Sequence, residues 1–265
     1  MIRDITIGQY YATDSPIHKL DPRTKLAGTM IYIISLFSTK GILGYILGAI
    51  FLLSIIKISK VPLSFIVRGL KAIVILLLIS VSFNIFLTPG EVIFQIWKLK
   101  ATKEGIIVAA YMATRLIFLI MGSSVMTLTT TPNDLTDGLE KALGFLKKIK
   151  VPVHEIAMMM SIALRFIPIL IEETDKIMKA QMARGADFET GGVIKKAKSM
   201  IPILVPLFVS AFRRATDLAM AMEARCYRGG EGRTKMKPLV YKKCDGIAYS
   251  ILFIYLLCMI GLRFI

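Results

Sequence analysis

Residues 105–130, GIIVAAYMATRLIFLIMGSSVMTLTT, run for 26 positions with one charge, Arg115. The hydrocarbon core of a bilayer, about 30 Å thick, is crossed by roughly 20 mostly apolar helical residues. The stretch exceeds that length and lacks the apolar–polar alternation of a barrel strand, so it predicts a membrane-spanning helix. Outward from it, residues 69–88 and 245–265 read the same way, and residues 21–40 and 42–57 are shorter versions, with Lys25 and Lys40 placed to snorkel. The chain is 55% hydrophobic, with a mean hydropathy of +0.66. The expected fold is an all-α integral membrane protein: about five transmembrane helices plus a cytoplasmic, membrane-surface domain of two to three long helices. The expected division is 1–20 as a cytoplasmic N-terminal segment, 21–131 as four transmembrane helices, 132–244 as the cytoplasmic helices and 245–265 as a last transmembrane helix.

The formal charge of +16 resembles a nucleic-acid signature until it is mapped. Twenty of the 34 Lys and Arg fall within 131–244, four lie around the start of the first span, and four lie at 57–71. The loop between the third and fourth spans has only Lys98, Lys100 and Lys103, offset by Glu91 and Glu104. Loops rich in Lys and Arg stay cytoplasmic. That places the N-terminus and residues 131–244 inside and the C-terminus outside, with the lipid bilayer rather than nucleic acid as the diffuse partner. The first 20 residues hold no apolar core of signal-peptide length. Cys226, Cys244 and Cys258 show no paired spacing, and His18 and His154 are too few for a histidine-based metal site. Asp14, His18 and Asp21 resemble a ligand cluster only superficially, so no metal is expected. No GxxxxGK[ST] phosphate loop occurs, so any energy from nucleotide must come from a partner.

Local signals divide the chain further. Asp21 and Pro22 suit the cap and first position of a helix. Turns are marked by Lys60-Val61-Pro62 and Thr88-Pro89-Gly90, and Thr129-Thr130-Thr131-Pro132 marks a break. Residues 134–150 predict one amphipathic helix with Leu135, Leu139, Leu143 and Leu146 on a face. Pro152 restarts a helix running towards Arg184, and another runs from about Val193 or Ile201 to Arg225. In that last helix Leu207, Ala211 and Ala215 make a small apolar face on which a neighbouring helix can come close. Ile167-Pro168-Ile169-Leu170 and Ile201-Pro202-Ile203-Leu204 form a weak repeat ahead of the two arginines. Asn84 in the third span reads as glue between helices, and Arg115 as an ionisable group at membrane depth, functional or structural.

Two triplets then stand out: Ala183-Arg184-Gly185 and Ala224-Arg225-Cys226. Each closes a long helix ahead of a glycine-marked stop. A basic residue near a helix C-terminus gains only about 0.3–1 kcal/mol from the dipole. The duplication asks for more, and the planar guanidinium fork suits a carboxylate on a soluble partner. The rival readings are weaker. An integral membrane enzyme of lipid or isoprenoid metabolism wants clustered carboxylates; the densest group here, Glu172, Glu173 and Asp175, reads as a solvated helix face. A secondary transporter wants paired broken helices or inverted repeats, and neither is visible. No catalytic residue is expected.

With these residues in hand, the chain resembles the transmembrane T component (EcfT, CbiQ-like) of energy-coupling factor transporters, bacterial plasma-membrane importers of the ABC superfamily that take up vitamins or metal ions. The resemblance rests on Gly8-Gln9-Tyr10 with Ser15, His18-Lys19-Leu20-Asp21-Pro22-Arg23-Thr24-Lys25, Arg115, Thr129-Thr130-Thr131-Pro132, Ala163-Leu164-Arg165-Phe166-Ile167-Pro168 and both triplets. It implies that the long cytoplasmic helices are coupling helices and that Arg184 and Arg225 enter grooves on two ABC-type ATPases, which bind the ATP and Mg²⁺. It implies a substrate-binding S component held by the same helices, with Met158, Met159, Ile162, Leu207, Ala211 and Ala215 as the expected contact face. Arg115, Arg165 and Pro168 are expected in structural or coupling roles. Cys226 stands where the family commonly has glycine, and reads as a permissive position.

Overall fold

A computed structural model of the chain describes residues 10–39, 41–71, 73–96, 99–186, 188, 192, 194, 198–230, 236 and 238–264. Gly8, Gln9, Lys40, Gly191, Val193 and the glycine-rich residues 231–235 lie outside them. The chain separates into two compact units, one of residues 8–141 with 239–265 and the other of residues 142–238.

The first unit is a bundle: α1 (Pro22–Ser38), α2 (Ile42–Ser59), α3 (Leu63–Lys71), α4 (Val74–Leu87), α5 (Lys103–Thr129), α6 (Pro132–Ala142) and α9 (Lys243–Phe264). α5 is the central element, packing against α1, α2, α3 and α4. The core joins Tyr32 and Leu36 of α1, Leu52 and Ile56 of α2, Val125 and Leu128 of α5, and Tyr255 and Met259 of α9. Outward faces are apolar too: Ile75, Leu87, Ile42 and Phe253 are all exposed. Large apolar side chains turned outward on long helices suit lipid rather than water. By length and composition α2, α5 and α9 can cross a membrane, as can α7 (Val153–Ala183) of the other unit, and α3 with α4 adds a fifth if the pair is one span. α1, at 17 residues, is about 25 Å long.

Two expectations change here. The third span, expected unbroken over 69–88, divides into α3 and α4, whose directions differ by 61°. Between the third and fourth spans the chain forms an antiparallel hairpin, β1 (Val92–Ile96) with β2 (Leu99–Thr102); its Val-Ile-Phe run is a β-favouring sequence.

One end of this bundle is tied by a polar joint, which gives the His18–Lys25 motif its structural reason. Asp21 caps α1, accepting from the Arg23 N–H at 2.9 Å, with Pro22 in the first turn. The Arg23 side chain grips the same carboxylate through Nε and a terminal nitrogen, both at 3.0 Å, and lies 3.9 Å over the Tyr241 ring. Asp245, 1% exposed, accepts from the backbone N–H of Asp21 and of Lys242, each at 2.8 Å, and so locks the start of α9 to the start of α1. Lys25 does not snorkel. Its ammonium donates to the carbonyls of Thr129 at 2.7 Å and His18 at 3.1 Å. The last carbonyls of a helix lack intrahelical donors, and those of α5 find them here: Lys25 takes Thr129, and the Tyr11 N–H takes Leu128 at 2.9 Å. α6 packs on this joint, because Gly138 lets it approach Pro22, where an added Cβ would come within 2.9 Å. α6 therefore groups with the bundle rather than with the helices that follow it.

The second unit holds a 3-10 turn (Leu143–Ile149), α7 (Val153–Ala183) and α8 (Ile201–Ala224). The single helix expected over 134–150 is thus α6 followed by a 3-10 stretch, ended at Lys150 with φ +62°. α7 and α8 pack on each other. Glu173 of α7 accepts from the Ser210 hydroxyl and, at 2.8 Å, from the Arg214 guanidinium of α8. Pro206 sits inside α8 and has no N–H to give the Pro202 carbonyl. The Gln181 side-chain amide of α7 reaches that carbonyl at 3.4 Å. At the other end Gly230, just past α8, lies against the His154 ring at the start of α7, leaving no room for a Cβ. The two rods are therefore antiparallel.

Candidate functional site

Both Ala-Arg-x triplets form the same helix cap. At the end of α7 the Gly185 N–H donates to the Met182 carbonyl at 2.9 Å and the Ala186 N–H to Gln181 at 3.0 Å. At the end of α8 the Cys226 N–H donates to Glu223 at 2.8 Å and the Tyr227 N–H to Met222 at 3.0 Å. These are the paired bonds of a Schellman stop. In each the alanine is the last helical residue and the arginine is the cap, with nearly equal angles: φ −89° and ψ 6° at Arg184, φ −90° and ψ 14° at Arg225. The third residue takes the left-handed region, φ +89° at Gly185 and +55° at Cys226. All six residues are exposed. Cys226 is therefore not at a permissive position: the backbone there asks for glycine.

The antiparallel packing sets the spacing. Arg184 lies three residues beyond Gln181, which touches Pro202, and Arg225 lies 23 residues beyond Pro202 along α8. At 1.5 Å per residue those two stretches add, and the backbones of the two arginines are held about 39 Å apart, at opposite ends of one stiff pair. The weak Ile-Pro-Ile-Leu repeat has no structural counterpart, since Pro168 is inside α7 and Pro202 is in the first turn of α8.

The face expected to receive a partner is turned differently. Ile203 is buried and Leu207, Ser210, Ala211 and Arg214 are half-buried, on the side of α8 that meets α7 through Glu173. The helix that approaches the small face is thus α7 itself. Ala215 is exposed, as is Met159, while Met158 and Ile162 are half-buried. The outward face of α8 is larger and more apolar: Leu204, Val205, Phe208, Val209 and Phe212 are exposed, with Phe208 and Phe212 each at 65% and their rings 5.3 Å apart. Its period of three and four was visible in the sequence beside the smaller residues, and was passed over. Glu173, read as part of a solvated face, is instead the residue that ties α7 to α8.

Arg165 and Pro168 are exposed on α7. Arg115 is half-buried in α5, in the other unit. Its Nε donates to the Tyr45 hydroxyl at 3.1 Å and its guanidinium lies 5.5 Å from the Phe37 ring centroid. Among the described residues Asn84 bonds within its own helix, to the Ser80 carbonyl at 2.8 Å. Cys226, Cys244 and Cys258 are free thiols.

The sequence model of the cobalt transport protein family, CbiQ, matches residues 13–236. The chain is 58% identical over 262 residues to the energy-coupling factor transporter transmembrane protein EcfT of Clostridium kluyveri, covering 98% of this chain and 96% of that one. It is 51% identical over 265 residues to the EcfT of Ruminiclostridium cellulolyticum, covering 100% and 99%. With the EcfT of Bacillus subtilis it shares 48% over 246 residues, covering 92% and 93%.

Proposed function

We propose, from the premise that this chain belongs to the energy-coupling factor transporter transmembrane protein family, that it couples two separate ABC-type ATPases to a substrate-binding S component. The chain is a transmembrane component of such a transporter, and an enzyme of lipid metabolism is not supported. In our reading it supplies no catalytic group, and ATP and Mg²⁺ belong to its partners. The observation that carries the proposal is the pair of like, exposed arginine caps about 39 Å apart on one antiparallel pair of helices. A cation on a capped end is fixed in direction, so each arginine is preorganised to enter an acidic groove. A stiff pair of rods passes a displacement of either end along its length.

The surface for the S component is, in this reading, the outward face of α8 around Phe208 and Phe212, with Met158 and Met159 of α7. It replaces the Leu207–Ala211 face, which α7 occupies. Residues 142–238 lie on the cytoplasmic side and along the membrane, with the N-terminus inside and the C-terminus outside, in the plasma membrane of a bacterium. The cargo, a vitamin or a metal ion, is chosen by the S component.

Co-expression with the two ATPases and an S component tests this. Reversing a desolvated charge costs 2 kcal/mol or more, about thirty-fold in affinity. The variant carrying both Arg184→Glu and Arg225→Glu is expected to insert in the membrane normally while ATPase co-purification and uptake collapse. Wild-type uptake by that double variant would refute the proposal.

A further inference from the structure

We propose that a cleft at the joint end of the bundle binds one anionic phospholipid, its phosphate at Lys25 and one acyl chain running inward to Tyr32. The cleft encloses about 380 Å³. It is lined by residues 24–32 of α1, 51–58 of α2, 122–129 of α5 and 244–252 of α9, with residues 16–20 at the mouth. Each helix contributes the same two turns from the same end, so the cleft is about 11 Å deep at 1.5 Å per residue.

Its form is that of a lipid slot. The floor is the buried apolar surface of α1 and α5, and Phe51, stacked on Tyr255 at 4.2 Å, lines the inner end. Gly122 leaves the space that the Tyr32 ring occupies, since a Cβ there would come within 2.6 Å of it. On the flanks Ile58 of α2 and Ile247 and Ile251 of α9 are exposed, so the cleft opens sideways between those two helices, towards the bilayer.

Its polar groups call for an anion. Lys25 lines the mouth with its ammonium held by two backbone carbonyls, and among the described residues no carboxylate lies within ion-pair distance. A third N–H remains to give. Thr24, 2% exposed, and Tyr32, 4% exposed, also line the cleft, and neither hydroxyl has a hydrogen-bond partner among the described residues. Buried donors without acceptors are costly and need a partner. A phosphodiester at the mouth accepts from Lys25, and the acyl chain fills the apolar shaft as far as the Tyr32 ring. Free phosphate would leave the apolar shaft empty. A partner's helix, about 10 Å across, is too wide for it. The occupant therefore comes from the leaflet at the Lys25 end, and the inference stands apart from the ATPase reading.

The test uses the full chain purified in detergent, titrated with phosphatidylglycerol or phosphatidylcholine and examined by native mass spectrometry. One bound phosphatidylglycerol is expected, preferred about five-fold over phosphatidylcholine, the effect of one lysine at a membrane surface. A phosphatidylglycerol carrying a photoreactive group in its acyl chain is then used on the unaltered protein, so that no variant need fold. Adducts are expected on α2 and α9 around Ile55, Ala248 and Ile251, and Lys25→Gln is expected to abolish the headgroup preference. Equal retention of the two lipids, or adducts spread evenly over the lipid-facing helices, would overturn the site.

Discussion

At Cys226 the backbone turns through φ +55°, while the matching residue of the other cap, Gly185, does so at +89°. A side chain in the left-handed region costs roughly 1 kcal/mol. Cys226→Gly is therefore expected to stabilise the end of α8 by about that amount, and Gly185→Ala to destabilise the end of α7 similarly. Thermal unfolding in detergent should rise in the first variant and fall in the second; a lower midpoint for Cys226→Gly would contradict the strain. The positions of Arg184 and Arg225 at helix ends were legible because glycine and the run of helix ahead of it announce a stop. The strain at Cys226 was not, because a cysteine letter carries no sign of the left-handed angle that its hydrogen bonds to Glu223 and its neighbours impose. Arg115 was legible as a charge within a span, while its partners, the Tyr45 hydroxyl and the Phe37 ring, come from helices distant in sequence.

Among the elements, α7 and α8 are joined by a polar clasp at Glu173 beside the Gln181–Pro202 contact. The Glu173 side chain is 21% exposed and that of Arg214 40%, so the ion pair is screened and adds about 1 kcal/mol or less to stability. Its worth is register: it fixes which turn of α7 meets which turn of α8. Glu173→Ala is expected to leave the thermal midpoint within a few degrees but to broaden the distribution of distances between spin labels at residues 184 and 225. An unchanged, narrow distribution would show that apolar packing alone sets the register. The sequence revealed the two rods through their apolar period, but not which face of each is buried. Leu207 and Ala211 were read as outward and lie on α7, and Glu173 was read as wet and is the clasp. Period fixes that a helix has faces; only the packing partner decides which one is covered. The break between α3 and α4 falls just after Lys71, a charge already present inside the expected span of 69–88; no proline or glycine follows it there to announce a turn, so the lysine alone reads as the start of the span.

Across the whole molecule, the N-terminal segment meets the bundle through the Tyr11 N–H and the His18 carbonyl, and the His18 ring braces that segment internally. The His18 Nε2–H donates to the Tyr11 carbonyl at 3.0 Å, so Nδ1 accepts from the Ser15 hydroxyl at 2.7 Å. Burial pushes the His18 imidazole below the ordinary value of 6.5, against the opposing hydrogen bond to Tyr11. A folded-state value below the unfolded one means that the unfolded chain binds the proton first. Stability is then complete above about pH 6.5 and is lost as the pH falls below it. The thermal midpoint of the protein is expected to fall between pH 7 and 5, and His18→Gln is expected to flatten that profile; an equally steep profile in the variant would exclude His18. One further consequence follows from the shape of the two caps. Antiparallel rods with the same cap at each far end have a local two-fold axis midway along them, although the chain itself is not symmetric. A partner whose single surface fits one arginine fits the other only after a half-turn about that axis. Under the proposed coupling role, one copy of this chain would match a partner dimer, and a lone monomer would leave one of its two hands empty.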